Sequence, residues 1–189
     1  GNRETTYDVS SFDRSGVLGT NSVDFDGNSE YISIGDIGQT MNKSNQFTIS
    51  YWIRYDKLVD YQVPYGSQFY FNGSQSKFWT EPFRDGSQGI SINLPGEDGS
   101  RYQFNSERVI SDRDAWHHIT YTWDGNTLKA FLRGKKVGEW ESEMRLNLPQ
   151  RHFIGSYDGG DNVVNAKMDE VRLYNRSLST QEVRRLSFQ

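Results

Sequence analysis

Cysteine is absent from the 189 residues, which excludes disulfides, thiol nucleophiles and thiolate metal sites. Long apolar runs are missing too. Hydrophobic residues make up only 34% of the chain, and no run approaches the ~20 residues of a spanning helix. Membrane insertion is therefore not expected, and no signal-peptide pattern follows the polar opening Gly1-Asn2-Arg3. An excess of basic charge is also lacking: 21 Lys+Arg stand against 25 Asp+Glu, a net charge of −4. Nucleic-acid partners, which select clustered positive charge, are not expected. Proline (4) and methionine (3) are few, and Ala and Leu are scarce. What is plentiful is aromatic and small: 11 Tyr, 11 Phe, 5 Trp and 18 Gly, the composition of a β-rich protein with many turns.

Period-2 alternation dominates. Phe47, Ile49, Tyr51 and Ile53 share one strand face, with Thr48, Ser50, Trp52 and Arg54 on the other. Ile119, Tyr121 and Trp123 alternate in 116–123. Asp124-Gly125-Asn126 then turns into 127–133, and Arg133-Gly134 turns again into 137–141. Further strands are predicted at 23–25, 30–34, 68–71, 89–94, 102–104, 152–156 and 167–174. One helix is expected near the C-terminus. There Ser179-Thr180-Gln181-Glu182 reads as a capping box, making the helix a lid over one end of a sandwich. No repeat or linker interrupts the chain, so residues 1–189 are read as one domain.

Four stretches together carry a resemblance. They are Val23-Asp24-Phe25-Asp26-Gly27 with Glu30-Tyr31-Ile32, then Phe47 to Ile53, then Trp116 to Gly125 with its hairpin, and Met168 to Ser179 leading into Glu182. Their order and spacing resemble the concanavalin A-like lectin/glucanase superfamily, most closely its laminin-G-like bacterial branch. The resemblance implies an all-β jelly roll: two curved antiparallel sheets forming a sandwich, with one short C-terminal helix. It says little about ligand, because such folds serve lectins, enzymes, adhesins and spacers alike. Residues 56–100 match the family pattern poorly.

Asp169 alternates with Val171 and Leu173. If those two face the core, Asp169 is an interior carboxylate that needs a partner or a cation. In the superfamily an aspartate at this place often holds a structural Ca²⁺. That carries over to Asp169, a backbone carbonyl near Asn45 or Gln46, and a group from the chain start, with Asp26 a second candidate. The alternative is that Asp169 pairs with an arginine or accepts from backbone amides. The oxygen-rich 158–162 loop is read as a solvated turn.

Glu139, Glu141 and Glu143 alternate on one strand, a spacing that two glycosidase carboxyls would need. The superfamily's acidic triplet precedes the Trp-His-His-like strand, however, and this one follows it. No residue is therefore assigned as catalytic. His117 falls in phase with Ile119 and is expected in the core, with His118 opposite. The aromatic-rich, poorly periodic 56–88 segment is the best place for a ligand. Tyr61, Tyr65, Trp79 and Phe83 would stack on the C–H faces of sugar rings, and Arg84 and Asp85 would bond to hydroxyls. The functional expectation is a non-catalytic, lectin-like carbohydrate-binding module, Ca²⁺-stabilised and part of a larger secreted or cell-surface protein. The competing expectations are an adhesin spacer or protein-interaction domain, and, behind them, a glycoside hydrolase or lyase.

Overall fold

The structure, a computed structural model, describes residues 5–7, 11–13, 21–57, 61–71, 74–82, 89–107, 110, 112, 114–158 and 162–188. In chain order its elements begin with β1 (Thr5–Tyr7), β2 (Ser11–Asp13), β3 (Ser22–Asp26), β4 (Tyr31–Asp36), α1 (Gly38–Ser44) and β5 (Phe47–Tyr55). The middle of the chain gives β6 (Tyr65–Phe71), β7 (Ser74–Glu81), β8 (Ser91–Pro95), β9 (Arg101–Asn105), β10 (His117–Trp123), β11 (Thr127–Leu132) and β12 (Lys135–Glu141). It closes with β13 (Arg151–Ile154), β14 (Asn165–Tyr174) and α2 (Thr180–Leu186). Two seven-stranded antiparallel sheets result. The first has the order β1-β4-β13-β6-β7-β8-β9 and the second β12-β11-β10-β5-β14-β3-β2. This is the expected jelly-roll sandwich.

The core follows from the alternation. In β5, Phe47, Ile49, Tyr51 and Ile53 are buried, and their register partners Trp123, Tyr121 and Ile119 in β10 are buried with them. Opposite them lie Tyr65, Phe78, Ile92 and Leu94 of the first sheet. Each large side chain so buried stabilises by ~1.5–3 kcal/mol. Tyrosine hydroxyls stitch the layers: Tyr51 donates to Thr80 Oγ1 at 3.1 Å and Tyr121 to the Ser91 carbonyl at 3.0 Å.

Three local features depart from the sequence reading. The 56–88 stretch contains the β6–β7 hairpin, with Tyr65 facing Thr80 and Ser67 facing Phe78. A helix not anticipated, α1, precedes β5 without a side-chain N-cap. Its Asn42 brackets Leu148, taking the amide on Oδ1 at 2.8 Å and donating to the carbonyl at 2.9 Å. α2 has the expected capping box, and Arg176 hydrogen bonds hold the Glu182 carboxyl down to about 2. It packs through Leu178 and Val183 on Phe131. Phe131 pairs with Thr120 while its neighbours Ala130 and Leu132 point inward. The helix therefore covers the outer face of the second sheet instead of an open end.

Asp169 corrects the premise of the metal argument. Met168 pairs with Ile53 and Leu173 with Ile49, so six residues of β14 span five of β5. The extra residue is a bulge between Asp169 and Arg172, where Glu170 adopts φ 51°. It flips the side-chain phase midway along the strand. Leu173 keeps its inward role, while Asp169 shares the outward Trp52 row, half-buried, and its Oδ1 accepts from the Glu170 amide at 2.8 Å.

Candidate functional site

A row of residues crosses the first sheet at one level. Phe153 pairs with Gly66, Gly66 with Trp79, Trp79 with Asn93 and Asn93 with Gln103. Their chain neighbours Phe78, Ile92, Leu94 and Phe104 point into the core, so the row points out. Gly66 leaves room for two segments to close over the sheet. A Cβ there would lie 2.8 Å from Val63 Cγ1 and 2.9 Å from Tyr157 Cα. Val63, Trp79 and Tyr157 form a satellite apolar cluster, the Trp79 and Tyr157 rings meeting edge to face at 5.3 Å.

The polar atoms of this face are unusual. Trp79 is 8% exposed, Gln62 4% and Asn93 0%. Yet among the described residues Trp79 Nε1, Gln62 Oε1 and both amide atoms of Asn93 have no hydrogen-bond partner. Each such orphan costs about 1–3 kcal/mol unless a partner from outside the chain completes its bond. Around this floor stands a cationic rim. The exposed Arg101 guanidinium lies over the Trp79 ring, 5.6 Å from its centroid, and the Lys77 ammonium lies over Tyr157 at 5.3 Å. Gln103 donates to Asn105 Oδ1 at 3.3 Å on the same face. Glu81, one row away, is held by other groups of the chain.

The residues expected to stack on sugars fall into three groups. Trp79 lies in this floor. Tyr61, two residues before Val63, is 53% exposed and holds a left-handed φ of 67°. Tyr65 is instead a core residue, wholly buried beneath Phe78 with its hydroxyl 2.8 Å from His152 Nδ1, and it presents no ring face to a ligand. Phe83, Arg84 and Asp85 lie outside the described residues. Asn93, Arg101, Lys77 and Tyr157 were not read from the sequence. Asn93 had a signal, as the polar member of the Ile92-Asn93-Leu94 alternation. Tyr157 had none, because it reaches the site from a loop.

The residues expected to hold Ca²⁺ do not converge. Asp26 pairs with Asn165 at one end of β14 and bonds to the Asn28 amide at 2.8 Å. Asp169 sits four residues further along the strand, roughly 13 Å away. Asn45 precedes β5 at its far end, beyond Phe47, itself roughly 17 Å from the Trp52 row. Asn45 spends its Oδ1 on the Leu146 amide at 2.9 Å. Asp26, Asp169 and Asn45 thus lie apart along the sheet, the ligand expected from the start of the chain at 1–4 lies outside the described residues, and among the described residues no three His, Asp or Glu side chains gather for an ion.

Two catalytic-looking groups also resolve. Glu139 bonds to Lys136 and lies 3.7 Å from Lys129; the Lys136 bond holds its carboxyl below the usual range, the opposite of a general acid. On the second sheet, Ser50 Oγ lies 2.8 Å from His118 Nε2 and 3.1 Å from Thr120 Oγ1. Burial, helped by Arg172, pushes the His118 imidazole down to about 4. Ser50 and His118 are buried, and among the described residues His118 Nδ1 has no partner and so no carboxylate that orients the ring as in a catalytic triad. His117 is buried in phase with Ile119, as expected.

A laminin G family model, described as the concanavalin A-like lectin/glucanases superfamily, matches residues 26–184. Curated protein sequences gave no match. Among solved structures the chain is similar to domain 4 of AbnA, a GH43 extracellular arabinanase from Geobacillus stearothermophilus, in complex with arabinotriose. The TM-score is 0.73 and the identity 16%, over 98% of this chain and 87% of that one. It is similar to the binding domain of Paraclostridial Mosquitocidal Protein 1, with TM-score 0.71 and 17% identity over 98% of this chain and 47% of that one. It is also similar to the binding domain of Botulinum Neurotoxin DC in complex with SialylT, with TM-score 0.71 and 14% identity over 99% and 46%. The chain thus spans about half the length of the toxin binding domains it matches. The two toxin structures are binding domains and the arabinanase domain holds arabinotriose, and their likeness to this chain is one of fold. No described helix is long and apolar enough to cross a membrane.

Proposed function

The chain belongs to the concanavalin A-like lectin/glucanases superfamily, and from that premise we propose that it is a non-catalytic, lectin-like glycan-binding module of a larger extracellular protein. Its site is the outer face of the first sheet at Trp79 and Asn93. The observation that carries this reading is the set of buried polar atoms without partners, the Trp79 N–H and the two Asn93 amide atoms. A sugar supplies what they lack, since each hydroxyl both donates and accepts. The rim, exposed Tyr61 and Arg101 with half-buried Gln103, makes first contact. A glycan complex in a solved structure of the same fold supports the reading.

The test is affinity electrophoresis against neutral and acidic polysaccharides, comparing the wild type with Asn93→Leu. Retardation by at least one polysaccharide, weakened ~10-fold or more in the variant, is expected, because losing one or two bonds to a desolvated site costs about 1–3 kcal/mol. Uniform silence across the panel sinks the reading in favour of a spacer domain. Unchanged retardation of Asn93→Leu places the site elsewhere.

A further inference from the structure

The rim of this site says which sugars it takes. Resting on the glycan-binding reading above, we propose that the site selects glycans bearing a carboxylate, with Arg101 and Lys77 as the recognition groups.

Arg101 and Lys77 reach the same outward face, Arg101 from β9 and Lys77 two residues before Trp79 on β7. Both are parked on aromatic rings of the site, Arg101 over Trp79 and Lys77 over Tyr157. Neither makes an ion pair with a described residue. Other cations, by contrast, are spent on carboxylates: Lys167 on Asp24, Arg172 on Glu170 and Arg176 on Glu182. A guanidinium on an indole face is held in one plane with its N–H edge free, which pre-organises the fork that binds a carboxylate through two parallel bonds. Lys77 adds a second positive charge from the Tyr157 side. The unpartnered Trp79 N–H and the Asn93 amide lie in the same row. A uronic or sialic acid presents both elements together: a carboxylate for the fork and ring hydroxyls for the floor. Of the described acidic groups near this face, Glu81 is engaged within the chain and Asp98 bonds to Ser100 in the β8–β9 turn. In a chain of net charge −4, two cations without an ion pair to a described residue thus stand beside Trp79 and Asn93.

Two matched pairs of ligands test this by titration calorimetry: oligogalacturonate against its methyl ester, and sialyllactose against lactose. Neutral arabinotriose serves as a further probe. The expected result is that, in a pair that binds, the free acid binds ~10-fold tighter than its neutral partner at low salt, an advantage that shrinks on adding salt. Arg101→Gln and Lys77→Gln reduce that advantage towards unity while keeping the wild-type thermal midpoint. Equal binding of acid and neutral partner, or binding of arabinotriose alone, overturns the carboxylate inference and leaves the glycan reading standing. Silence of every acidic and neutral glycan overturns both. Equal retention on inorganic polyphosphate also overturns the inference, because charge alone would then suffice.

Discussion

Asn93 is wholly buried, and neither its amide nitrogen nor its oxygen meets a partner. In a residue kept only for stability this is a poor choice, since leucine of similar size fills the space without two orphaned polar atoms. Asn93→Leu therefore separates folding from binding. Its unfolding free energy in urea is expected to equal or exceed that of the wild type by up to ~1 kcal/mol, while glycan affinity falls. A loss of 2 kcal/mol or more would show the amide to be structural. Trp79 carries the same tension more mildly, through one unmatched N–H. Tyr65, ranked beside Trp79 by composition alone, belongs to the other face of the sheet: its hydroxyl and Phe78 close a buried cluster with His152. One residue of alternation separates a core tyrosine from a surface one, and in the 61–65 approach no periodicity marks the phase.

At the scale of elements, the site exists because Gly66 lets the 61–65 and 155–157 segments cross β6 at van der Waals distance. Gly66→Ala puts a methyl 2.8 Å from Val63 Cγ1 and 3.0 Å from the Ser156 carbonyl. The expected cost is about 1–3 kcal/mol in thermal or urea unfolding, with weaker glycan binding as the Val63–Tyr157 cover shifts; a neutral substitution would show that the cover yields freely. Strands were legible wherever one face was buried and the other polar. β5, β10 and β11 read directly from Phe47 to Ile53, Ile119 to Trp123, and Leu128 with Ala130. The β6–β7 hairpin was legible only in its 68–71 stretch, because Gly66, Val63 and Trp79 pack apolar groups on the outer face too and erase the alternation elsewhere. α1 was invisible because it is short, lacks a side-chain cap and is fixed by Asn42 and Asn45 clasping Leu148 and Leu146. The β14 bulge inverted the inference at Asp169 because two-residue periodicity cannot register one inserted residue. Asn93 was legible as a residue but not as a site, since what marks it is the absence of partners in three dimensions.

Across the whole molecule, two buried imidazoles link stability to pH. Burial pushes His152 and His118 down to about 4 from the ordinary imidazole value of 6.5. His152 donates through Nε2 to the Pro149 carbonyl at 2.9 Å and accepts the Tyr65 hydroxyl on Nδ1, a neutral arrangement that protonation breaks. The unfolded chain binds these protons first, so stability is full above about pH 7 and is lost as pH falls between 6.5 and about 4. Each histidine contributes on the order of 3 kcal/mol to the loss. The thermal midpoint is expected to drop steadily across that window, with a shallower slope in His152→Asn; a flat profile would contradict the burial of both rings. The same pair of sheets thus keeps these two imidazoles inside, while Trp79 and Asn93 bring polar atoms without described partners to one outer face.

The most direct test of that assignment is an NMR titration of the wild-type chain with oligogalacturonate, sialyllactose and arabinotriose, following the five tryptophan indole N–H signals and the Asn93 side-chain amide. The account predicts that the Trp79 indole and Asn93 amide signals shift together and saturably with a bound glycan, while those of Trp52 on the second sheet stay in place. Saturable shifts at Trp52 and the neighbouring His118, with Trp79 and Asn93 unmoved, would contradict it.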